Sequence, residues 1–378
     1  MQLFLMEMKK ILSWKLLLLI GIVNVLLFYL FLSFDLEYFP NGRPDGDLFK
    51  IEQMVISKYG STLDEKEFKE LRASYEERLK AADKFFSQDG QAQTLGITNY
   101  EEFQDTGLDD QELGEYHDDL MFQAEEDFLW ELQAWNHLIE NYETEALSLD
   151  AMIGQTAGSR QQHFQKQLTN EEYSFFSSVV PYNFQNYKTS MAIIILISIA
   201  ILMSPVFLRD YQSGLLPLQY TSKTGRSVYK TKWLAGVSSA AILTAILLTV
   251  YTGMYWTNGT ASHFGLPLSA FAFEDYWYEM TFLQYIVLSI TAIFFAAILL
   301  GILSMAISTV VQNSIVLIGV QIVILFIMIA GVANFLIREI TNIWLPQALV
   351  PGGYIVLTAV IFISGRLMWK RELQKDVT

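Results

Sequence analysis

The chain has 378 residues, 52% of them hydrophobic and 17% charged, with a formal net charge of −15. That is more apolar and less charged than a soluble domain. The absence of cysteine excludes disulfides, thiolate metal sites, iron–sulfur clusters and thiol nucleophiles, and the acidic balance argues against nucleic acid as a partner. The charge is unevenly spread: residues 34–188 hold 32 of the 40 acidic residues and only 12 of the 25 basic ones, so the remainder is net basic.

Residues 1–15 place Phe4, Leu5, Met8, Ile11 and Leu12 at helical spacing opposite Glu7, Lys9 and Lys10. This predicts an amphipathic helix suited to a membrane interface, or else an extension of the span that follows. A hydrocarbon core of about 30 Å needs roughly 20 apolar residues at a rise of 1.5 Å. Six stretches meet that need, over 16–33, 189–208, 233–254, 283–307, 314–337 and 351–368. The first reads as an uncleaved anchor, because its apolar core is long for a signal peptide and no small-x-small site follows it. No charge occurs between Glu279 and Arg338. That run is too long for one crossing, so it turns back within the polar stretch Ser308–Ser314. The fold class is an all-α integral membrane protein of six spans.

Residues 34–188 read as an acidic helical domain. Thr62 and Glu65 have capping-box spacing, and Phe68, Leu71, Tyr75, Leu79 and Ala82 then form one buried face. A second stripe runs Leu113, Tyr116, Leu120, Ala124, Phe128, Leu132, Trp135, Ile139 and Tyr142; a third helix is predicted around Gln161–Leu168. From Phe85 to Ser159 there are 18 acidic residues and no lysine or arginine. That surface suits cationic peptides or divalent ions, or simply keeps the domain soluble. His117 and His137 lack ligand spacing, so no metal site is expected.

Basic residues near the span ends set orientation. Lys9, Lys10 and Lys15 precede the first span. Arg209, Lys223, Arg226, Lys230 and Lys232 lie in the 209–232 loop against Asp210 alone, Arg366 lies at the end of the sixth span, and Lys370, Arg371 and Lys375 follow in the tail 369–378. The alternate segments 34–188, 255–282 and 338–350 are acidic or near neutral. Both termini are therefore expected in the cytoplasm and residues 34–188 outside. Tryptophans near the span ends (Trp14, Trp233, Trp256, Trp344, Trp369) fit an interfacial belt.

Catalytic signatures are missing. The chain has no phosphate-binding G-x-x-x-x-G-K-[ST] loop, no H-E-x-x-H and no G-x-S-x-G, so no catalytic residue and no cofactor in this chain are expected. No acid or base lies in the middle of a span, which weakens an ion-coupled carrier. Asn24, Gln321 and Asn334 are the clearest polar residues within spans. Each would line a translocation path or, in the preferred reading, hydrogen-bond between helices.

The loop from Arg209 to Lys232 runs Asp210, three residues, Gly214, the apolar Leu215, Leu216 and Leu218, then Ser222-Lys223-Thr224-Gly225-Arg226. It resembles the loop of type-2 ABC exporter permeases, in which an acidic-x-x-x-Gly element leads into a short coupling helix and a Ser/Thr-Lys-x-Gly-Arg/Lys turn. The interfacial helix, the six spans and the apolar 338–350 segment resemble that family too, and some Gram-positive members carry a large helical domain between the first two spans. The resemblance implies a bacterial cell-membrane permease. It would pair with a second permease, the same or related, and with a separate cytoplasmic ATPase that holds ATP and Mg. Asp210, Gly214, Leu215, Leu216, Leu218, Lys223, Gly225 and Arg226 would then form the ATPase-coupling element, 338–350 would dip back as short half-helices, and the cargo would be an amphiphilic peptide, lipid or antibiotic. Two competing readings are a membrane receptor whose outer domain binds a peptide or envelope component, and a scaffold for envelope enzymes.

Overall fold

All six apolar stretches are helices in a computed structural model of the chain, which describes residues 2–60, 63–105, 111–123, 127–170, 173–214, 225, 227–272 and 276–374. In chain order the longer helices are α1 (Gln2–Ile11), α2 (Trp14–Phe31), α3 (Asp45–Tyr59), α4 (Glu65–Gln88), α5 (Phe128–Gln155), α6 (Ser159–Thr169), α7 (Val179–Met203), α8 (Ser227–Tyr255), α9 (Phe282–Val310), α10 (Ser314–Ile327) and α11 (Leu349–Gln374). Six of them, α2 and α7 to α11, are long and apolar enough to cross a membrane once the π-helical turn Met328–Ile337 is counted with α10. The described residues form no β-strand; isolated bridges pair Phe176 with Phe271 and Pro267 with Thr281. Contacts divide the chain into two units: residues 1–37, 183–259 and 283–378 form one, residues 38–182 and 260–282 the other.

In the first unit, α1 is separate from α2. Ser13 breaks the helix with extended backbone (φ −66°, ψ 140°), which excludes the simple extension of the first span. The face of α1 also differs from the one its apolar spacing suggests. Glu7 and Ile11 are buried, whereas Leu5 is 56% exposed. The reason is tertiary: α1 packs against the start of α8, whose charged Lys232 turns inward.

The spans pack around α7. Gly301 of α9 is one close point: a Cβ there would lie 3.3 Å from Ala240 of α8 and 3.4 Å from Ile199 of α7. Small residues let helix backbones approach where lipid offers no hydrophobic drive. By contrast α2 buries only Ile20 and Asn24, four residues apart on one stripe. Asn24 is what attaches it. Its amide donates to Ser198 Oγ of α7 at 2.8 Å and to the Ile20 carbonyl at 2.8 Å, and its oxygen accepts from Tyr251 of α8 at 2.7 Å. The uncharged run turns back at Val311–Asn313, where the Asn313 side chain caps α10 by accepting from Ile315 N at 2.9 Å. Arg338–Ala348 is a run of turns and bends without the expected half-helices. Ile340 and Ile343 are buried in it, whereas Trp344 is exposed.

At one end of this unit the main-chain carbonyl of Asp35 accepts from Asn183 and Asn258, both at 3.0 Å, and burial pushes the Asp35 carboxyl up to about 6. A raised carboxyl favours the folded state at low pH, and that contribution is lost as pH rises through about 6. Asp35→Asn is therefore expected to raise the melting temperature above that pH and leave it unchanged at acid pH. Melting curves of both proteins across pH check this; a gain confined to low pH would contradict it.

The second unit is built on aromatic packing. Phe86, Tyr100, Phe103, Tyr116, Leu129 and Leu132 form its core, and Phe68, Leu71 and Ala82 of α4 are buried on the predicted face. The capping box of α4 sits two residues later than its sequence spacing suggests. Asp64 accepts from Glu67 N at 2.8 Å, while Glu67 accepts from Asp64 N at 2.9 Å; Thr62 lies outside the described residues. The second predicted stripe is divided between a short helix Gln111–Asp118, a π-helical turn Asp119–Gln123 and α5. His117 stacks on Phe103 at 5.1 Å. The acidic stretch gains cations from outside it: Arg43 pairs with Asp127, and Arg72 with Glu143 at 2.7 Å.

Candidate functional site at the head of the 209–232 loop

After α7 the chain turns at Pro205 and makes one short helical turn, Leu208–Gln212, which carries Asp210 inward. Asp210 is 1% exposed. Its two carboxylate oxygens take different lysines: Oδ1 accepts from Lys10 of α1 and Oδ2 from Lys232 of α8. Lys232 is itself buried, with its ammonium 5.0 Å from the Phe207 ring centroid. Glu7, Lys10, Arg209 and Lys232 line one small crevice. Glu7 is buried, and its Oε2 has no hydrogen-bond partner among the described residues. Asp210 thus neutralises charge on two lysines in a place where isolated ions are costly.

The same short turn reaches a further span. Gln212 donates to Ser314 Oγ at the start of α10, at 2.7 Å. The loop then leaves through Gly214, which has φ +64°, and returns through Gly225, at φ +50°. Both glycines occupy the left-handed region that other residues disfavour. Val228 N donates to the Gly225 carbonyl at 3.2 Å and so starts α8. Leu215, Leu216, Leu218, Lys223 and Arg226 lie outside the described residues.

Beside this turn is an apolar groove of about 450 Å³ between α2, α7 and α10. Leu19, Ile201 and Ile322 are among its walls, with Arg209 and Gln212 at one end. Of the polar residues predicted within spans, Gln321 lies in this groove and is tied to Ser304 of α9, accepting from its hydroxyl at 3.0 Å. Asn24 is fully engaged between helices, which favours packing over a path, and Asn334 is exposed.

Two lysines are placed differently from their sequence reading. Lys232 opens α8 as a buried ion-pair partner, not a free basic residue. Lys188, one residue before the predicted 189–208 span, is fully buried within α7, where it donates to Tyr285 Oη of α9 at 2.5 Å and lies 4.1 Å from that ring's centroid. The one usable signal in the sequence was Asp210 as the single acid among five bases. Nothing local named Lys10, Glu7 or Lys232 as its neighbours. Comparison with protein-family models, with curated proteins and with solved structures gives no match for this chain.

Proposed function

We propose that this chain is the membrane-spanning permease subunit of an ATP-driven ABC exporter, powered by a separate cytoplasmic ATPase and paired with a second permease. In this reading it sits in a bacterial cell membrane, with both termini and the 209–232 loop in the cytoplasm and residues 34–188 outside. The observation that carries the reading is the double engagement of Asp210. A membrane chain with no nucleotide-binding loop must receive work mechanically, through a segment gripped at both ends by its spans. Asp210 joins the head of the loop to α1 and to α8, and Gln212 joins it to α10. Closure of an ATPase on the loop would therefore displace these helices together.

The groove between α2, α7 and α10 shares that attachment, since Gln212 and Ser314 both line it. Its apolar walls suit the tail of an amphiphilic cargo and Arg209 a polar or acidic head. A push on the loop would change the groove's width, which is how a rigid lever converts closure into release.

The test is the double substitution Lys223→Glu with Arg226→Glu. Membrane insertion and melting temperature are expected to stay as in the wild type. Co-purification with its partner ATPase, and ATP-dependent efflux from inverted vesicles, are expected to fall at least tenfold. Undiminished efflux by a well-inserted double variant would sink the proposal, as would ATP hydrolysis by the purified chain alone.

A further inference from the structure

We infer a second groove, distinct from the one described above, that binds an anionic phospholipid. It lies between α8, α9 and α11 and has a volume of about 550 Å³, within the range of clefts that hold ligands, about 300–1,000 Å³. The inference rests on reading the six helices as membrane spans, but not on the ATPase partner.

Two observations point to the same occupant. The walls are apolar, with Ile302 and Phe362 among them, and Phe362 is 71% exposed, so the groove opens sideways. In a bilayer that opening faces acyl chains. One end is different: Lys230, near the start of α8, and Arg366, near the end of α11, both line it. Because the two helices run in opposite directions there, the two cations meet at the same end. Neither forms an ion pair with a described side chain, unlike Lys10 and Lys232 nearby. Trp233 and Trp369 line the same end, and the Lys230 ammonium sits 4.9 Å from the Trp369 ring centroid. Indoles and basic residues together mark headgroup depth. From Arg366 back to Thr358, the helical rise gives the groove a length of about 12 Å, enough for a segment of acyl chain.

An apolar slot ending in two cations that pair with no described carboxylate is complementary to a molecule with an acyl chain and an anionic head. A zwitterionic lipid would supply the chain but cancel the head charge. The phosphate of phosphatidylglycerol would sit between Lys230 and Arg366, with one chain against Ile302 and Phe362. With the termini cytoplasmic, this is a lipid of the inner leaflet.

The experiment uses the purified full-length chain in phosphatidylcholine vesicles, into which brominated phosphatidylglycerol or brominated phosphatidylcholine is titrated while tryptophan fluorescence is read. Brominated phosphatidylglycerol is expected to quench at lower mole fraction. The preference is expected to fall about fivefold for each cation removed, as about 1 kcal/mol per basic residue near an anionic surface implies, in Lys230→Gln and Arg366→Gln. A control variant, Lys9→Gln with Lys15→Gln, removes the same charge at the same end of the helices and is expected to keep the preference. Trp233→Phe with Trp369→Phe is expected to abolish the lipid-selective part of the quenching. Equal quenching by both lipids overturns the assignment, as does a preference that survives loss of both cations or is lost equally in the control. Absence of quenching because a second copy of the chain fills the groove overturns it too.

Discussion

Asp210→Ala is expected to lower stability by about 3–5 kcal/mol, the usual cost of removing one partner from a buried ion pair. Against a total of about 5–15 kcal/mol for a folded domain, that is enough to reduce the yield of well-folded protein. Most of the loss belongs to Lys232, because its side chain is 3% exposed and cannot recover water, whereas that of Lys10 is 33% exposed and can. Asp210→Asn should be nearly as harmful, since an amide still accepts a hydrogen bond but supplies no charge. The informative variant is Asp210→Asn combined with Lys232→Met. It removes the stranded cation, and an apolar replacement of a buried pair is often neutral or better. Thermal unfolding of all three in mild detergent is the measurement. The clasp has no energetic role if the single variants melt with the wild type. It has a different one if Lys232→Met brings no recovery in the Asp210→Asn background.

The parts legible in the sequence are those governed by local rules. Span lengths follow from bilayer thickness, and the reversal at Val311–Asn313 follows from the length of the uncharged run. The faces of α4 and α5 follow from helical period, as the burial of Leu71, Ala82, Leu132 and Trp135 shows. What local rules do not carry is a pairing between distant residues. Lys10 and Asp210 are 200 positions apart, and no periodicity relates them. Glu7 looked like the polar face of α1 because it groups with Lys9 and Lys10 there; it is buried because α8 presents Lys232 to it. Two overlapping capping patterns, Thr62 with Glu65 and Asp64 with Glu67, were available in one stretch. Asp64 caps the helix that forms, in keeping with the stronger preference of aspartate for that position. The apolar run in 338–350 resembled half-helices, yet residues 338–348 form turns and bends, with Ile340 and Ile343 buried.

Glu52→Ala is expected to cost a similar amount in the second unit, about 1–3 kcal/mol for each of two buried groups left without an acceptor. Glu52 of α3 and His263 are both fully buried. One oxygen of Glu52 accepts from Ser177 N at 2.6 Å, and the other lies 3.2 Å from His263 Nε2. Ser262 Oγ lies 3.0 Å from the other ring nitrogen. The imidazole is stacked between Phe49 at 5.4 Å and Phe271 at 6.3 Å. A single carboxylate therefore holds three separated stretches of chain: α3, the strand-like residues before α7, and the segment before α9. Removing it leaves a buried main-chain N–H and a buried ring nitrogen without their acceptor, and each is costly on its own. Glu52→Gln keeps an oxygen for Ser177 N but presents only one further group to His263, so it should lose less than alanine. The expected order of melting temperature is wild type, then Gln, then Ala. Limited proteolysis of the full chain should show new cleavage between residues 260 and 272 in Glu52→Ala before other sites open. Equal protection of that segment in all three proteins would mean that Glu52 is not what holds it, leaving the stacking of Phe49 and Phe271 on His263 to do so.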